Sequence, residues 1–528
     1  MSSSSAPAVR TGNLGEVFKV AFPLIMASGI FAFKLFCDRM MMAWHSERSI
    51  AAALSAGMAS FMMASFFMGV ANYSNAFVAQ YSGAERHDRT GLAVWQSVLF
   101  SLAAGLVLII LQSAIAPVFL HIGHPPAQAL EEEAYFRVLA TGVVFALLNS
   151  SLMCFWTGRN KTWTVVTVGF ASIFLNVVGN WVLIFGADGT HHMSGGPLEG
   201  LGDTLNAIGA FAGAPAMGIV GAGLATIGTD ALSVLAFLLL FLRKSNRREY
   251  GTLPKRIFDF SLMRRMLRFG FGNGVQMLMD VGSFAVFNIL MSMYGITALG
   301  GNVGAASSIA VSVNGVAFVP MLGLGAAASI LVGHGIGSRD VNFAVKAVRS
   351  SRILILTYMA FMCVLFEVHP EFLVSIFAPG ESMNPATREM AVNFLRMAGL
   401  FVLADGFFIL YGNAIRGAGD TRYCMIAMAV NGWCVFAIPC IVAYKLGAGY
   451  YTLWGILVFS VFSIAAILYL RYRTGKWKNM KVIEETGSQR RRPGSASVRL
   501  SSPIVSEDGI LTVPGDPLDP PLSGEEED

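Results

Sequence analysis

Twelve long apolar segments recur along this chain, and they constrain its fold more than any other feature. Each is long enough for the roughly 20 residues that cross a bilayer as a helix. The apolar runs are continuous and lack the alternation of a barrel strand, so helices are favoured over a membrane barrel. We therefore predict an all-α integral membrane protein with twelve transmembrane helices, at residues 17–43, 50–80, 92–119, 134–157, 163–186, 217–242, 266–294, 302–333, 347–367, 388–415, 421–445 and 450–472.

The composition agrees with a membrane protein. Hydrophobic residues make up 55% of the chain and charged residues 13%, and the mean hydropathy is +0.61. A soluble globular domain carries about 25% charged residues, so this chain lacks the polar surface that water requires. No basic stretch alternates with aromatic residues, which argues against nucleic-acid binding. The six cysteines form no C-x-x-C pair, so neither a zinc site nor a redox motif is expected.

Lysine and arginine cluster after the even-numbered segments, with the largest group between residues 243 and 268. In membrane proteins, this excess of positive charge marks the cytoplasmic loops. We therefore predict that both termini are cytoplasmic, including a short N-terminal segment at 1–16. The corresponding location is the plasma membrane or the bacterial inner membrane.

The basic link at 243–265 divides the chain into two lobes of six spans, at 17–242 and 266–473. Weak internal similarity supports this division. "VAQYSGAERHD" closes the second span and "VGHGIGSRDVN" the eighth, while "WTGRNKTW" follows the fourth and "IRGAGDTRY" the tenth. Six spans per half give both halves the same orientation, related by an axis along the membrane normal. The pattern predicts two six-helix bundles around a central cleft, an architecture typical of transporters.

Two segments fall outside the pattern of spans. The tail at 474–528 is rich in Pro, Ser, Gly and charge, so it is predicted to be disordered and cytoplasmic. An inert tail is favoured, and a regulatory or docking role is the alternative. The outer loop at 187–215 is unusually long, and its two histidines are not expected to bind a metal.

Four carboxylates lie at membrane depth: Asp38 in the first span, Asp230 in the sixth, Asp280 in the seventh and Asp405 in the tenth. A charge at the centre of a membrane helix costs about 2.5–3.5 kcal/mol on insertion scales, so such residues are candidates for function.

Around Asp280, polar residues recur at spacings of three and four, and these are Asn273, Gln276 and Ser283. One face of the helix therefore carries all the polarity of this segment. Either the face is a stripe of interhelical hydrogen bonds, or Asp280 forms a cation or proton site in the cleft.

Asp405 shares its helical face with Phe401, Phe408 and Gly412. A carboxylate among aromatic rings suits an organic cation, since aromatic faces attract positive charge. Ordinary packing of the aromatic rings is an equally good explanation.

In the first span, Lys34 precedes Asp38 by four residues, so both side chains lie on one face. This spacing predicts an ion pair within the membrane that keeps Asp38 ionised. Alternatively, Lys34 faces water in the cleft or extends towards the interface. Asp230 has no basic neighbour within its own helix.

Six motifs together resemble the multidrug and toxic compound extrusion (MATE) family, over roughly residues 15–475. They include "VAFPLIMASG" with "CDRMMMAW" in span one, "FVAQYSGA" in span two and "LNVVGNWVLIFG" in span five. "MGIVGAGLATIGTD", "AASSIAVSVNGVAFVPMLGLGAAASILVGHGIG" and "DGFFILYGNAIRGAGDT" follow in spans six, eight and ten. The resemblance implies an antiporter that exports organic cations, driven by Na⁺ or H⁺ entry, through alternating access of two six-helix lobes.

The resemblance also implies roles for individual residues. Asp38 matches the family's acid in the first helix, and Asp405 matches the acid eleven residues before the Arg of the "RG-x-x-D" turn. Asp280 stands where NorM-type members usually have Glu. Asn176 and Asn180 match a polar pair in span five, which favours a NorM-like member with its cation site in the second lobe.

Several positions depart from the family pattern. Lys34 replaces an uncharged residue, Phe401 replaces a Tyr common at the cation site, and Asp230 is an extra acid. These changes bear on the coupling ion and the substrate, and leave the predicted fold intact.

We therefore predict a secondary antiporter and no enzyme activity, with Asp280, Asp405 and Asp38 binding the coupling cation. The residues predicted to line the cleft or contact substrate are Asn176, Asn180, Gln276, Asn273, Phe401, Phe408, Asp230 and Lys34. The predicted partners are organic cations and the lipid bilayer, the protein is expected to be a monomer, and no cofactor is expected beyond Na⁺ or H⁺. The alternative is a flippase for lipid-linked oligosaccharides, but its anionic substrates would favour a basic cavity over these acids.

Overall fold

A computed structural model describes residues 11–121, 123–186, 215–298, 300–377 and 384–484. Within these ranges, twelve helices are long and apolar enough to cross a membrane, which confirms the predicted all-α fold. The predicted outer loop up to residue 214 and the tail from residue 485 lie outside the described residues. The helices are α1 (Leu14–His45), α2 (Glu47–Asn72, continued by Ser74–Gly83), α3 (His87–Ile115), α4 (Pro126–Thr157), α5 (Trp163–Phe185), α6 (Gly218–Phe241), α7 (Phe260–Met293), α8 (Val303–Gly337), α9 (Val341–Val368), α10 (Pro385–Ala418), α11 (Thr421–Lys445) and α12 (Tyr450–Arg473).

Side-chain caps explain why several helices begin earlier than their apolar segments. The Asp259 carboxylate accepts a hydrogen bond from the Leu262 N–H at 3.1 Å, so α7 begins at Phe260 and not at residue 266. Asp340 accepts in the same way from the Phe343 N–H at 2.8 Å, and α9 begins ahead of its predicted start at 347. Such caps satisfy amide groups that the first turn leaves without a partner.

The helices of each half pack mainly within that half. In the N-terminal half, α4 contacts α2, α3 and α6, and α5 contacts α1 and α6; in the C-terminal half, α10 contacts α8, α9 and α12. Across the two halves, α1 packs on α8 and α2 packs on α7. Glycine allows the second of these crossings, because a Cβ on Gly69 would lie 2.7 Å from the Cα of Gly274.

The repeated motifs form equivalent contacts at one end of the bundle. We call this the basic end; it comprises the connecting residues 84–87, 158–162, 242–259, 338–340 and 419–420. Gln80 donates from Nε2 to the Gly417 carbonyl at 3.0 Å, and His334 contacts the Gly158 carbonyl through Nε2 at 2.7 Å. Each motif therefore reaches from its own half to a helix end of the other half. The pseudo-symmetric pair of contacts therefore joins the two halves at the basic end.

The first ten residues of the predicted disordered tail are ordered, so the prediction is wrong for 474–483. Lys476–Asn479 form a 3-10 helix, and the buried Trp477 stacks on Tyr472 with ring centroids 5.1 Å apart. The Val482 N–H donates to Gln80 Oε1 at 3.0 Å. Burial of two apolar side chains fixes this segment, although the average composition of the tail indicates disorder.

Candidate functional site

The two carboxylates of the C-terminal half have no hydrogen-bond donor among the described residues. Asp405 on α10 is 7% exposed, and Asp280 on α7 is partly buried. Neither forms a salt bridge within the described ranges. A buried charge without a partner is unfavourable, so each carboxylate can bind a cation or a proton from outside.

The polar face of α7 is hydrogen-bonded at one end and lacks hydrogen-bond partners further along. Asn273 forms interhelical hydrogen bonds, since its Nδ2 donates to the Gly69 carbonyl on α2 at 2.6 Å and its Oδ1 accepts from Arg416 at 3.2 Å. Gln276 is buried, and its Oε1 has no hydrogen-bond partner. Asp280 has none either. The end of the stripe nearest the basic end is thus structural, and the part around Gln276 and Asp280 has free oxygen atoms.

Arg416 links the helices that carry the two acids. Its Nη1 donates to Asn273 on α7, and its Nη2 donates to Asn413 on its own helix at 3.0 Å. Asp280 lies about 10 Å along α7 from Asn273, and Asp405 about 16 Å along α10 from Arg416. In both helices the acid lies on the side away from the basic end.

The aromatic residues near Asp405 belong to the packed core of the C-terminal half. Phe401 is 4% exposed and Phe408 is partly buried against the same cluster. Packing accounts for Phe401 in this conformation, because its ring is covered by neighbouring side chains and does not face an open cleft.

In the N-terminal half, the structure brings Asp38 together with the polar pair of α5. Asn180 donates a short hydrogen bond from Nδ2 to the Asp38 carboxylate, and also donates to Asn176 Oδ1 at 3.3 Å. Asn176 donates in turn to Thr226 on α6 at 3.5 Å. Both asparagines are fully buried. Three helices thus contribute to one hydrogen-bonded network around Asp38.

The predicted Lys34–Asp38 ion pair is wrong. Lys34 Nζ lies 2.9 Å from Asp230 Oδ1 and donates to Thr229 Oγ1 at 3.3 Å. The two charged side chains are 13% and 20% exposed, so the pair is mostly withdrawn from solvent. Spacing within α1 reveals only partners on that helix, whereas Asp230 comes from α6. Asp230, the additional acid relative to the family pattern, is therefore paired with a basic residue from another helix.

Sequence reasoning missed the threonines that complete this network, Thr226 and Thr229. Their position on an apolar helix, one turn before Asp230 for Thr226 and directly before it for Thr229, was the available signal, since short hydroxyl side chains hydrogen-bond between membrane helices.

A cavity of about 380 Å³ opens between α2 and α7, at the end of the bundle opposite the basic end. Its lining residues are Met58, Ala285, Asn288, Ile289, Ser292 and Met293. Asn288 lies eight residues beyond Asp280 on α7, a rise of about 12 Å. The cavity thus gives access to the helix that carries one of the unpaired acids.

Comparison with known proteins agrees with these observations. The sequence model of the MatE family matches residues 23–182 and 274–441, more than half of the chain. A probable multidrug resistance protein NorM of Bradyrhizobium diazoefficiens is 27% identical over 467 residues, covering 87% of this chain and 92% of the relative. The multidrug resistance protein MdtK of Pectobacterium atrosepticum is 26% identical over 365 residues, or 69% of this chain and 72% of that protein.

Solved structures show the same fold. A MOP superfamily transporter from Pyrococcus furiosus gives a TM-score of 0.75 at 18% identity, with 89% of this chain and 98% of that chain covered. The eukaryotic MATE transporter AtDTX14 gives a TM-score of 0.72 at 18% identity, with 88% and 96% covered. Since the family match falls in both six-helix halves and the NorM relatives span nearly all of the helical region, this chain belongs to the MATE (MatE) family as a NorM-like transporter.

Proposed function

We propose that this transporter exports cationic amphiphilic compounds from the cell in exchange for Na⁺ or H⁺. The carrying observation is the pair of membrane-depth carboxylates in the C-terminal half, Asp280 and Asp405, which accept no hydrogen bond and form no salt bridge among the described residues. The names of the relatives support the substrate class, because NorM and MdtK proteins are described as multidrug resistance proteins.

In this proposal, exchange results from competition between the drug and the coupling ion for these carboxylates. An unpaired charge at membrane depth costs several kcal/mol, so a bound cation stabilises it strongly. A small cation and a positively charged drug both favour the same negative field, and each therefore lowers the affinity for the other.

The neighbouring groups are compatible with either coupling ion. Na⁺ prefers several oxygen ligands, and the free Oε1 of Gln276 lies one helical turn from Asp280. H⁺ needs only a carboxylate in surroundings where the charged form is unfavourable.

Alternating access requires that the two ends open in turn. In support, contacts of Gln80 and His334 join the two halves at the basic end, while the cavity at Met58 and Met293 lies at the opposite end. With both termini in the cytoplasm, as the positive charges favour, the drug site would face outwards across the plasma or inner membrane.

A lipid-linked oligosaccharide flippase is a poorer explanation. Its pyrophosphate substrate would meet the carboxylates of Asp280 and Asp405, and the nearby Lys34 of the other half is already paired with Asp230. Like charges would therefore repel the substrate from the candidate site.

Transport by purified protein in vesicles tests the proposal. We expect efflux of ethidium, a fluorescent organic cation, to follow an imposed Na⁺ or H⁺ gradient and to stop when that ion is replaced. Substrate movement that ignores both gradients, or movement of an anionic lipid-linked sugar and not ethidium, would refute cation exchange.

A further inference from the structure

A basic pocket lies between the first turns of α7 and α11, and the proposed exchange does not use it. The pocket has a volume of about 580 Å³ and is lined by Ser261, Arg264, Arg265, Arg268 and Arg422. Residues 264 and 268 lie one turn apart on α7, and residue 422 is the second residue of α11. Four guanidinium groups thus line one cavity at the basic end.

The acidic side chains at the starts of these two helices are bound by other arginines. Asp259, the residue before α7, accepts a hydrogen bond from Arg89 at 3.0 Å. Asp420, the residue before α11, forms a salt bridge of 2.7 Å with Arg471. Neither carboxylate is therefore available to neutralise the pocket.

Three of the pocket arginines, Arg264, Arg268 and Arg422, form no salt bridge with an acidic side chain in the described part of the chain. Arg264, Arg268 and Arg422 are also exposed, as is Ser261. Positive charges gathered in this way repel one another, so an anion bound among them lowers the electrostatic energy. Guanidinium groups and a hydroxyl are suitable donors for phosphate oxygens.

Exposed apolar side chains follow each of these arginines towards the membrane. Leu267 and Phe271 come three residues after Arg264 and Arg268, and Ile426 comes four residues after Arg422. The pocket therefore continues into a lipid-facing surface of α7 and α11. A phosphate that carries hydrocarbon chains matches both the charged pocket and the apolar surface beside it. A free anion matches only the pocket.

We propose that this pocket binds the phosphate of an anionic phospholipid from the leaflet at the basic end. The arginines and the Ser261 hydroxyl donate to the phosphate, while the acyl chains lie along Leu267, Phe271 and Ile426. Basic pockets between membrane helices on the cytoplasmic side recognise lipid head groups by the same physics. The site is separate from Asp280 and Asp405, so its existence does not depend on the proposed exchange.

Lipid titration of the purified full chain tests the site. Phosphatidylglycerol is added to protein in neutral phosphatidylcholine nanodiscs, and bound lipid is measured by native mass spectrometry and by the shift in melting temperature. We expect the variant R264Q/R268Q/R422Q to bind phosphatidylglycerol about 100-fold more weakly, since each arginine near a membrane surface contributes about fivefold.

The matched control is R247Q/R248Q/R256Q, which removes three exposed arginines from the link at the same end. It should bind phosphatidylglycerol nearly as well as the wild type. An equal loss in the control would mean diffuse attraction, and wild-type binding by the pocket variant would mean no site; either overturns the proposal. Inorganic phosphate that gives the same thermal shift as the lipid would also overturn it. The single variant R422Q, at an exposed position, supplies the measurement if the triple variant does not fold.

Discussion

In the N-terminal half, side chains from neighbouring helices bind the membrane-depth carboxylates, whereas in the C-terminal half they do not. Asp230 is paired with Lys34, and Asp38 accepts a hydrogen bond from Asn180. Asp280 and Asp405 have neither kind of partner among the described residues. The same residue type thus lies in two opposite electrostatic settings within one pseudo-symmetric protein.

The difference supports our proposal that a transported cation binds in the C-terminal half. Lys34 already supplies a fixed positive charge to the N-terminal half, and a mobile cation would have to compete with it. In the C-terminal half no described cation forms a salt bridge with either carboxylate; the charge of Arg416 acts on Asp280 only at a distance, and its guanidinium donates to Asn273 and Asn413. We therefore propose that exchange uses the C-terminal acids and that the Lys34–Asp230 pair is structural.

Removing either C-terminal charge should have the largest effect. We expect Asp280→Asn and Asp405→Asn each to lower gradient-driven ethidium efflux by about 100-fold, because the shared negative field that couples ion and drug is lost. Ethidium efflux from vesicles under an imposed ion gradient measures this loss of transport. Asp88→Asn is the control, since that carboxylate is 77% exposed at the basic end. Unchanged efflux and ion dependence in both variants would refute the assignment.

Breaking the fixed pair in the N-terminal half should reduce stability more than transport specificity. Lys34→Met leaves Asp230 without its partner, and we expect a loss of about 2 kcal/mol in the free energy of unfolding. Denaturant unfolding in detergent measures this loss. The double variant Lys34→Met/Asp230→Leu should regain most of it, since no unpaired charge remains. If Lys34→Met is as stable as the wild type, the pair is not structural.

Neutralising Asp38 sharpens the contrast between the halves. Because Asn180 already satisfies this carboxylate, Asp38→Asn should lower ethidium efflux by about fivefold or less. The same vesicle assay allows a direct comparison with Asp405→Asn. Equal losses in the two variants would show that both halves take part in the exchange to the same extent.

Lengthening the C-terminal acid should have the smallest effect. Asp280→Glu adds one methylene group and matches the residue that the NorM resemblance leads us to expect at this position. We expect efflux to persist while the apparent affinities for Na⁺ and H⁺ change relative to each other, since the carboxylate reaches further from α7. Ion titration of transport measures both affinities, and identical values before and after the change would show that side-chain length is irrelevant.

Much of the fold was predictable because a membrane helix is recognisable from its own segment, as a long apolar run. Twelve apolar segments gave the number of helices, and the repeated motifs at Gln80 and His334 gave equivalent positions in the two halves. The predicted starts of α7 and α9 were late, since the capped first turns are polar. The order of 474–483 was missed, because Val482 is buried against residues near Gln80, which are far away in the sequence.

The sequence by itself predicted the twelve long apolar helices that the described residues contain, the four carboxylates within them, and the resemblance to the MATE family. These features depend on residue type and short-range spacing, which a single helix reveals. Only the tertiary structure decided which carboxylates are compensated. Lys34 is one turn from Asp38 on α1 but binds Asp230 on α6. Asn273 binds a carbonyl group on α2, whereas Asp280 on the same helix has no hydrogen-bond partner among the described residues. Such partners come from helices distant in sequence, so the pattern within one helix does not reveal them.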